Sequence, residues 1–336
     1  MFYPTEYDYK KFFDEIAKKE EKNRIRKDAN LLGVAFIIMS AIMVLWSIPI
    51  SYIAELGIVD AEKIYKFLSD STVVQGLQIL LSSIAFLFTY WLYTKMTKTD
   101  VRDVCAFKKP KNKKLVFPFI LLGLGVCGIS NFLTSMAGTI FQSLGFDYER
   151  VVNENPTNPF GIVLTFVAIS VTPALVEEFA MRGVVFGVLR RYGNGFAILV
   201  SAIVFGLMHG NLSQIPFAFV LGLYFGYIVV KTESVWPAVI IHFLNNFLSV
   251  ATSYLIKDLS DTVVGIVNIS YMLFLMVVGV IGFLILNKKG EKDFSFDEKE
   301  TKLTTGQKLK AALTAPWMIV SYVIVLLESF FVYATV

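Results

Sequence analysis

Nine apolar runs set the limits on what this 336-residue chain can fold into. They lie near 31–53, 73–94, 115–143, 160–189, 195–209, 212–230, 235–254, 264–287 and 316–335. Most reach the roughly 20 residues that a helix needs to cross a bilayer core of about 30 Å. In lipid every backbone N–H and C=O must be satisfied internally, so runs of this length predict helices. The expected fold is all-α, a polytopic transmembrane helical bundle of about 8–9 spans. Composition agrees: 55% of the residues are hydrophobic and 17% charged, less charge than a soluble domain of this length carries. The 195–209 run is short for a span and ends at Gly210-Asn211. It reads as a partial crossing that lengthens into the next segment.

The charges divide by loop. Of 31 Lys and Arg, only Lys63, Lys66, Arg150 and Lys257 fall in alternate loops, and Arg182 lies within a span. The rest sit in 1–30, 95–114, 288–310 and at Arg190, Arg191 and Lys231. By the positive-inside rule these segments are cytosolic, which places the N-terminus inside and, with nine spans, the C-terminus outside. The opposite loops are acidic, with Glu55, Asp60, Glu62 and Asp70 in one and Asp147, Glu149 and Glu154 in the other. The mixed-charge start is not the pattern of a cleavable signal peptide. Residues 1–30 read equally as a helix on the inner membrane surface or as a solvated tail. The lysines of 95–114 are expected to set topology rather than to hold anionic lipid. Cys105 lies in a basic loop and Cys127 in an apolar run, so neither a disulfide nor a zinc cluster is expected. No nucleic-acid partner is expected.

Ionisable groups inside such runs are costly and usually functional. The only two histidines, His209 and His242, both fall there, and the fourth run carries Glu177, Glu178 and Arg182. Pro173 lies one turn before the two acids and loosens the helix, because it has no N–H to donate. Glu178 and Arg182 are i and i+4, which pairs them on one face. Glu177, rotated by about 100°, is left to point elsewhere. Phe205 and His209 are i and i+4, so the ring can wall the imidazole; His242 and Asn246 share that spacing and one face. Asn245 faces another way, toward a neighbouring helix. At about 1.5 Å per residue, Glu177 lies about 20 Å from Arg190, and both histidines fall at overlapping depths.

These parts suit amide hydrolysis without a covalent intermediate. Glu177 as general base, with His209, can activate a water. His242 and Asn246 can donate to a developing oxyanion. Ser201 is more than two turns from His209 and is not placed as a nucleophile. Zinc is the competing use, with Glu177, His209 and His242 as ligands, although two His at i and i+4 on one helix are absent. No cofactor is the first expectation. No Asp occurs between Asp147 and Asp258, which excludes an intramembrane aspartyl protease.

Together, Glu177-Glu178-x-x-x-Arg182-Gly183, Phe205-x-x-x-His209 and His242-x-x-x-Asn246 resemble the three motifs of the CPBP family. Its members are the CAAX-protease and bacteriocin-processing (Abi) proteins, also called type II CAAX prenyl endopeptidases. The flanks agree, with Pro173 before the acids and Ser234-Val235-Trp236-Pro237-Ala238 before His242. The resemblance covers about 160–250 and departs at no motif position. It implies an intramembrane endopeptidase with a CAAX-protease-like core whose site opens to the cytosol. Glu177, His209, His242 and Asn246 would be catalytic, and Glu178 and Arg182, with Phe205, supporting. The expected organisation is a charged cytosolic segment at 1–30, helices over 31–143, a catalytic core over 160–254, and helices over 264–336 with a charged cytosolic linker at 288–312.

Eukaryotic relatives cleave the last three residues from prenylated CAAX proteins. Bacterial ones are tied to bacteriocin immunity, peptide maturation or surface-protein processing. The Lys-, Phe- and Ile-rich usage fits a low-GC bacterium, hence a multi-pass protein of a bacterial plasma membrane. The expected partners are the bilayer and a membrane-embedded or lipidated peptide or protein. The alternative is a non-catalytic scaffold or bacteriocin-immunity protein that keeps the fold. A proton-coupled transporter would favour an internal repeat, and none is visible. Glu328 in the last run reads as a structural hydrogen bond.

Overall fold

The computed structural model describes residues 6–45, 60–143, 145, 156–210, 214–291, 295 and 298–334. Twelve helices form among them and no strand. They are α1 (Glu6–Leu45), α2 (Ala61–Ser69), α3 (Ser71–Met96), α4 (Val101–Val104), α5 (Lys113–Ser143) and α6 (Pro159–Tyr192). After these come α7 (Asn194–Leu207), α8 (Gln214–Thr232), α9 (Trp236–Ile256), α10 (Asp261–Lys288), α11 (Thr305–Leu313) and α12 (Pro316–Ala334). Each apolar run coincides with a helix or part of one.

Among the described residues, fewer helices than the expected 8–9 qualify as spans on their own. Six helices (α3, α5, α6, α8, α9 and α10) are long and apolar enough to cross a membrane alone, and a seventh is reached if α11 and α12 count as one span bent by 67°. Two of the nine runs fall short for different reasons. The described part of the first run is the apolar end of α1, whose other half is charged, and residues 46–59 lie outside the description. The fifth run stops as the 14-residue α7, because Met208 and His209 form a turn closed by Gly210 N–H on the Leu207 carbonyl, with Gly210 at φ +60°. That positive φ suits glycine, which has no Cβ to clash.

The helix ends follow the local sequence. Asp70 caps α3 by accepting from the N–H groups of Thr72 (2.8 Å) and Val73 (3.1 Å). Asn158 caps α6 at Gly161 N–H (2.7 Å), with Pro159 at the first helical position, where its missing N–H costs nothing. Thr304 and Gln307 form a capping box on α11. α5 and α10 approach closely through glycine: a Cβ on Gly125 or Gly279 would lie 2.5 Å from the other's Cα. Small residues let backbones meet in this way where lipid offers no hydrophobic drive between helices.

The basic segments gather at one end of the bundle. Asp28 on α1 accepts from Tyr192 Oη (2.6 Å) and pairs with Arg191. Lys231 pairs with Glu291 (2.6 Å), Lys302 with Asp14 (3.1 Å), and Lys289 donates to the carbonyl of Lys114 (2.6 Å). Glu298 accepts from the N–H groups of Asn194 (3.0 Å) and Gly195 (2.6 Å), which tethers the 288–312 linker to the start of α7. Glu21 holds the same linker through Lys302 N–H (2.8 Å). Residues 6–30 are therefore the first 25 residues of one 40-residue helix, with buried positions at Glu21, Ile25 and Asp28. Lys108 and Lys111 face Glu233, and Ser234 Oγ donates to the carbonyl of Lys108 (2.6 Å). This stitches the 105–112 loop to the turn that leads into α9.

Candidate active site

α6 is not a uniform helix. It relaxes into wider π turns at Val167–Val171 and Phe179–Val185, on either side of the α-helical Thr172–Glu178. Pro173 accounts for the first. Its ring has no N–H, so the carbonyl four residues back, on Ile169, loses its helical donor. Asn246 of α9 supplies a replacement, its Nδ2 donating to Ile169 O at 2.9 Å. Asn246 Oδ1 accepts from Asn245 Nδ2 (3.0 Å). The asparagine pair thus fastens α9 to the loosened turn that precedes the acids.

One turn further, Glu178 and Arg182 pair as their spacing predicts, with Nη1 to Oε1 at 3.2 Å and both side chains 0% exposed. The same Glu178 oxygen receives His242 Nδ1 at 2.9 Å. This link between α6 and α9 fixes the ring's orientation and puts the proton on Nδ1, because a carboxylate can only accept. His242 Nε2 is then directed to Glu177, whose Oε2 lies 4.0 Å away. That gap is too long for a direct hydrogen bond and short enough for both atoms to face a shared third group.

Arg182 has a second set of neighbours. Its guanidinium carbon sits 4.0 Å from the ring centroid of Phe205 and 4.9 Å from that of Phe225. The aromatic faces attract a buried cation, and Nε and Nη2 make no hydrogen bond among the described residues. Phe205 also stands edge-on to His209 (5.2 Å) and to His242 (6.1 Å). It is the hinge of the cluster and not simply a wall for His209. His209 Nδ1 lies 2.8 Å from the Phe205 carbonyl. It takes the proton there, so Nε2 is left unprotonated in the neutral ring.

Glu177 and His209 both line a cavity of about 780 Å³. Its wall also includes Met39 and Met43 of α1, Gln78, Ser82 and Phe86 of α3, Met208 after α7, and Ile324 and Leu327 of α12. Ser329 of α12 donates to the Gly210 carbonyl (2.6 Å), next to His209. Ser201 is buried in α7, bonded to the Ile198 carbonyl, and does not line this cavity. Among the described residues no three His, Cys, Asp or Glu side chains come close enough together to hold one metal ion. The side chain of Glu328 and residues 211–213 lie outside the description.

Residues 159–248 match the family model described as type II CAAX prenyl endopeptidase Rce1-like. This agrees with the resemblance carried by the three motifs, and all eight motif residues fall inside it. The membrane-embedded CAAX protease MroQ of Staphylococcus aureus (strain USA300) is 28% identical over 228 residues, 65% of this chain and 86% of that protein. The candidate membrane peptidase YdiL of Bacillus subtilis (strain 168) is 27% identical over 86 residues, 25% of this chain. The match spans only 35% of YdiL's own length. No solved structure matches. A multi-pass membrane protein with a CAAX-protease-type domain is thus what sequence, fold and relatives support together.

The geometry adds residues that sequence reasoning missed. Phe225 lies on α8, whose apolar surface hides which aromatic meets Arg182. Gln78 and Ser82 were visible as polar residues in an apolar run, and their i, i+4 spacing was the available signal. The cavity walls from α1, α3 and α12 lie outside the matched stretch.

Proposed function

We propose that the chain is an intramembrane endopeptidase in which Glu177 activates a water. The observation that carries this is the division of labour between adjacent carboxylates. Glu178 is neutralised by Arg182 and spent on His242. Glu177 Oε2 has no hydrogen-bond partner among the described residues, faces His242, and belongs to the cavity wall with His209. In the reaction Glu177 takes a proton from water as the water oxygen bonds to the substrate carbonyl carbon. His209 Nε2 orients that water. The resulting oxyanion is met by His242 Nε2–H and by the second N–H of Asn246. When both nitrogens of His242 carry protons, it and Arg182 balance Glu177 and Glu178 to zero net charge, which suits a buried site. The C–N bond then breaks, and the amine leaves with the proton from Glu177.

The substrate is a membrane-associated peptide or protein, lipidated or a peptide precursor. No metal is required. The end where the basic segments gather faces the cytosol, on the positive-inside rule, in a bacterial plasma membrane like those of the two relatives' sources. The 160–254 segment is the catalytic core, and 1–30 and the 288–312 linker lie on the cytosolic side.

The test is cleavage of a quenched-fluorescent peptide library by purified protein. Wild type should cleave, and Glu177→Gln should lose at least about a hundredfold in rate, the range of a general base, while melting at an unchanged temperature. Retained cleavage in Glu177→Gln would overturn the assignment. If Glu177, His209 and His242 substitutions all leave the cellular phenotype intact, the protein is a scaffold or immunity protein.

A further inference from the structure

The cavity beside Glu177 is apolar except for a few groups, and two of those stand on α3. Gln78 and Ser82 are i and i+4, on one face of a membrane-spanning helix. The Ser82 hydroxyl donates back to the Gln78 backbone carbonyl, which leaves its oxygen lone pairs as acceptors. The Gln78 side chain is exposed, lines the cavity, and makes no hydrogen bond among the described residues. An exposed amide on a membrane-spanning helix, with no protein partner, keeps both its N–H and its C=O open to a ligand in the cavity.

A protease must hold its substrate extended, and in a membrane every peptide N–H and C=O of that strand needs a partner. A carboxamide offers both an N–H and a C=O, as a peptide group does. Side chains at i and i+4 on a helix lie about 5–6 Å apart. Peptide groups on one edge of an extended chain recur every two residues, about 6.6–6.8 Å. The two spacings match within side-chain reach. Met39, Met43 and Met208 line the same cavity and provide flexible, polarisable surface that accepts varied side chains.

Resting on the endopeptidase reading, we infer that Gln78 and Ser82 form the docking edge for the substrate backbone. Gln78 pairs with one peptide group near the scissile bond, and Ser82 accepts from the next N–H on that edge. The site therefore selects an extended, unstructured peptide segment, largely irrespective of its side chains.

The experiment uses the best peptide from the library and analogues in which single backbone N–H groups are replaced by ester oxygens. With wild-type protein, one ester near the scissile bond should lower kcat/KM about tenfold, the equivalent of one hydrogen bond. Gln78→Leu should lower kcat/KM for the all-amide peptide by a similar factor and be indifferent to that ester. Gln78→Glu, which keeps an acceptor, should restore part of the ester's effect. If Gln78→Leu and the ester lower the rate independently, the losses multiply, as a folding defect would make them do, and the pairing is refuted. Unchanged kcat/KM in Gln78→Leu refutes it as well. Cleavage surviving Glu177→Gln would instead fault the catalytic assignment, and the ester comparison would still read the docking edge.

Discussion

The sharpest physical commitment of the site is that Glu178 is the shared anchor of two partners. It accepts from Arg182 at 3.2 Å and from His242 at 2.9 Å, with no exposure of either Glu178 or Arg182. Glu178→Ala removes the paired carboxylate and leaves a buried guanidinium against Phe205 and Phe225, with only the more distant Glu177 to offset its charge. Breaking a buried pair from one side costs about 3–5 kcal/mol, mostly the uncompensated charge. Removing the charge as well should return most of that, so Glu178→Ala/Arg182→Met is expected to be the more stable variant of the two. The measure is thermal unfolding in detergent followed by labelling of Cys127, which is fully buried in the native protein. Cleavage should separate from stability. The double variant still lacks the acceptor that orients the His242 ring, so it should stay folded and remain slow. Losses that simply add in the double variant, or a Glu178→Ala cost under about 1 kcal/mol, would refute the shared-anchor argument. A double variant with full activity would show that His242 needs no carboxylate to aim it.

Three further outcomes follow from the geometry. Asn246→Ala leaves the Ile169 carbonyl unpaired and should cost about 1 kcal/mol; adding Pro173→Ala supplies a helical N–H and should recover stability, but not cleavage, as melting and rate measurements on the same preparations would reveal. Gly279→Leu forces α5 and α10 apart where a Cβ already meets Gly125 Cα at 2.5 Å, and should lower stability by about 1–3 kcal/mol, the usual range for overpacking; an unchanged melting temperature would mean the two helices do not pack through these glycines. Cleavage should survive a strong chelator, and loss on chelation with recovery on added zinc would make Glu177, His209 and His242 ligands after all.

Local physics was legible in the sequence and tertiary physics was not. The described part of each apolar run is wholly or mostly helix because lipid leaves the backbone no alternative, and Glu178 met Arg182 because i and i+4 lie on one face whatever surrounds them. How the runs divide into spans was less legible: among the described residues α7 stops at a turn after 14 residues, and α12 bends away from α11 by 67°. Within the site, the spacing of His242 and Asn246 placed them on one helix face, but it said nothing about their partners on α6. Those partners depend on the proline. Pro173 frees the Ile169 carbonyl, Asn246 crosses from α9 to satisfy it, and that tie brings the same face of α9 against the turn bearing the acids. His242, four residues earlier on α9, then reaches Glu178, five residues after Pro173. A backbone defect in one helix and an amide in another thus set the register between them, and the register decides which carboxylate is occupied. Glu178 is held, and Glu177 is left facing the cavity.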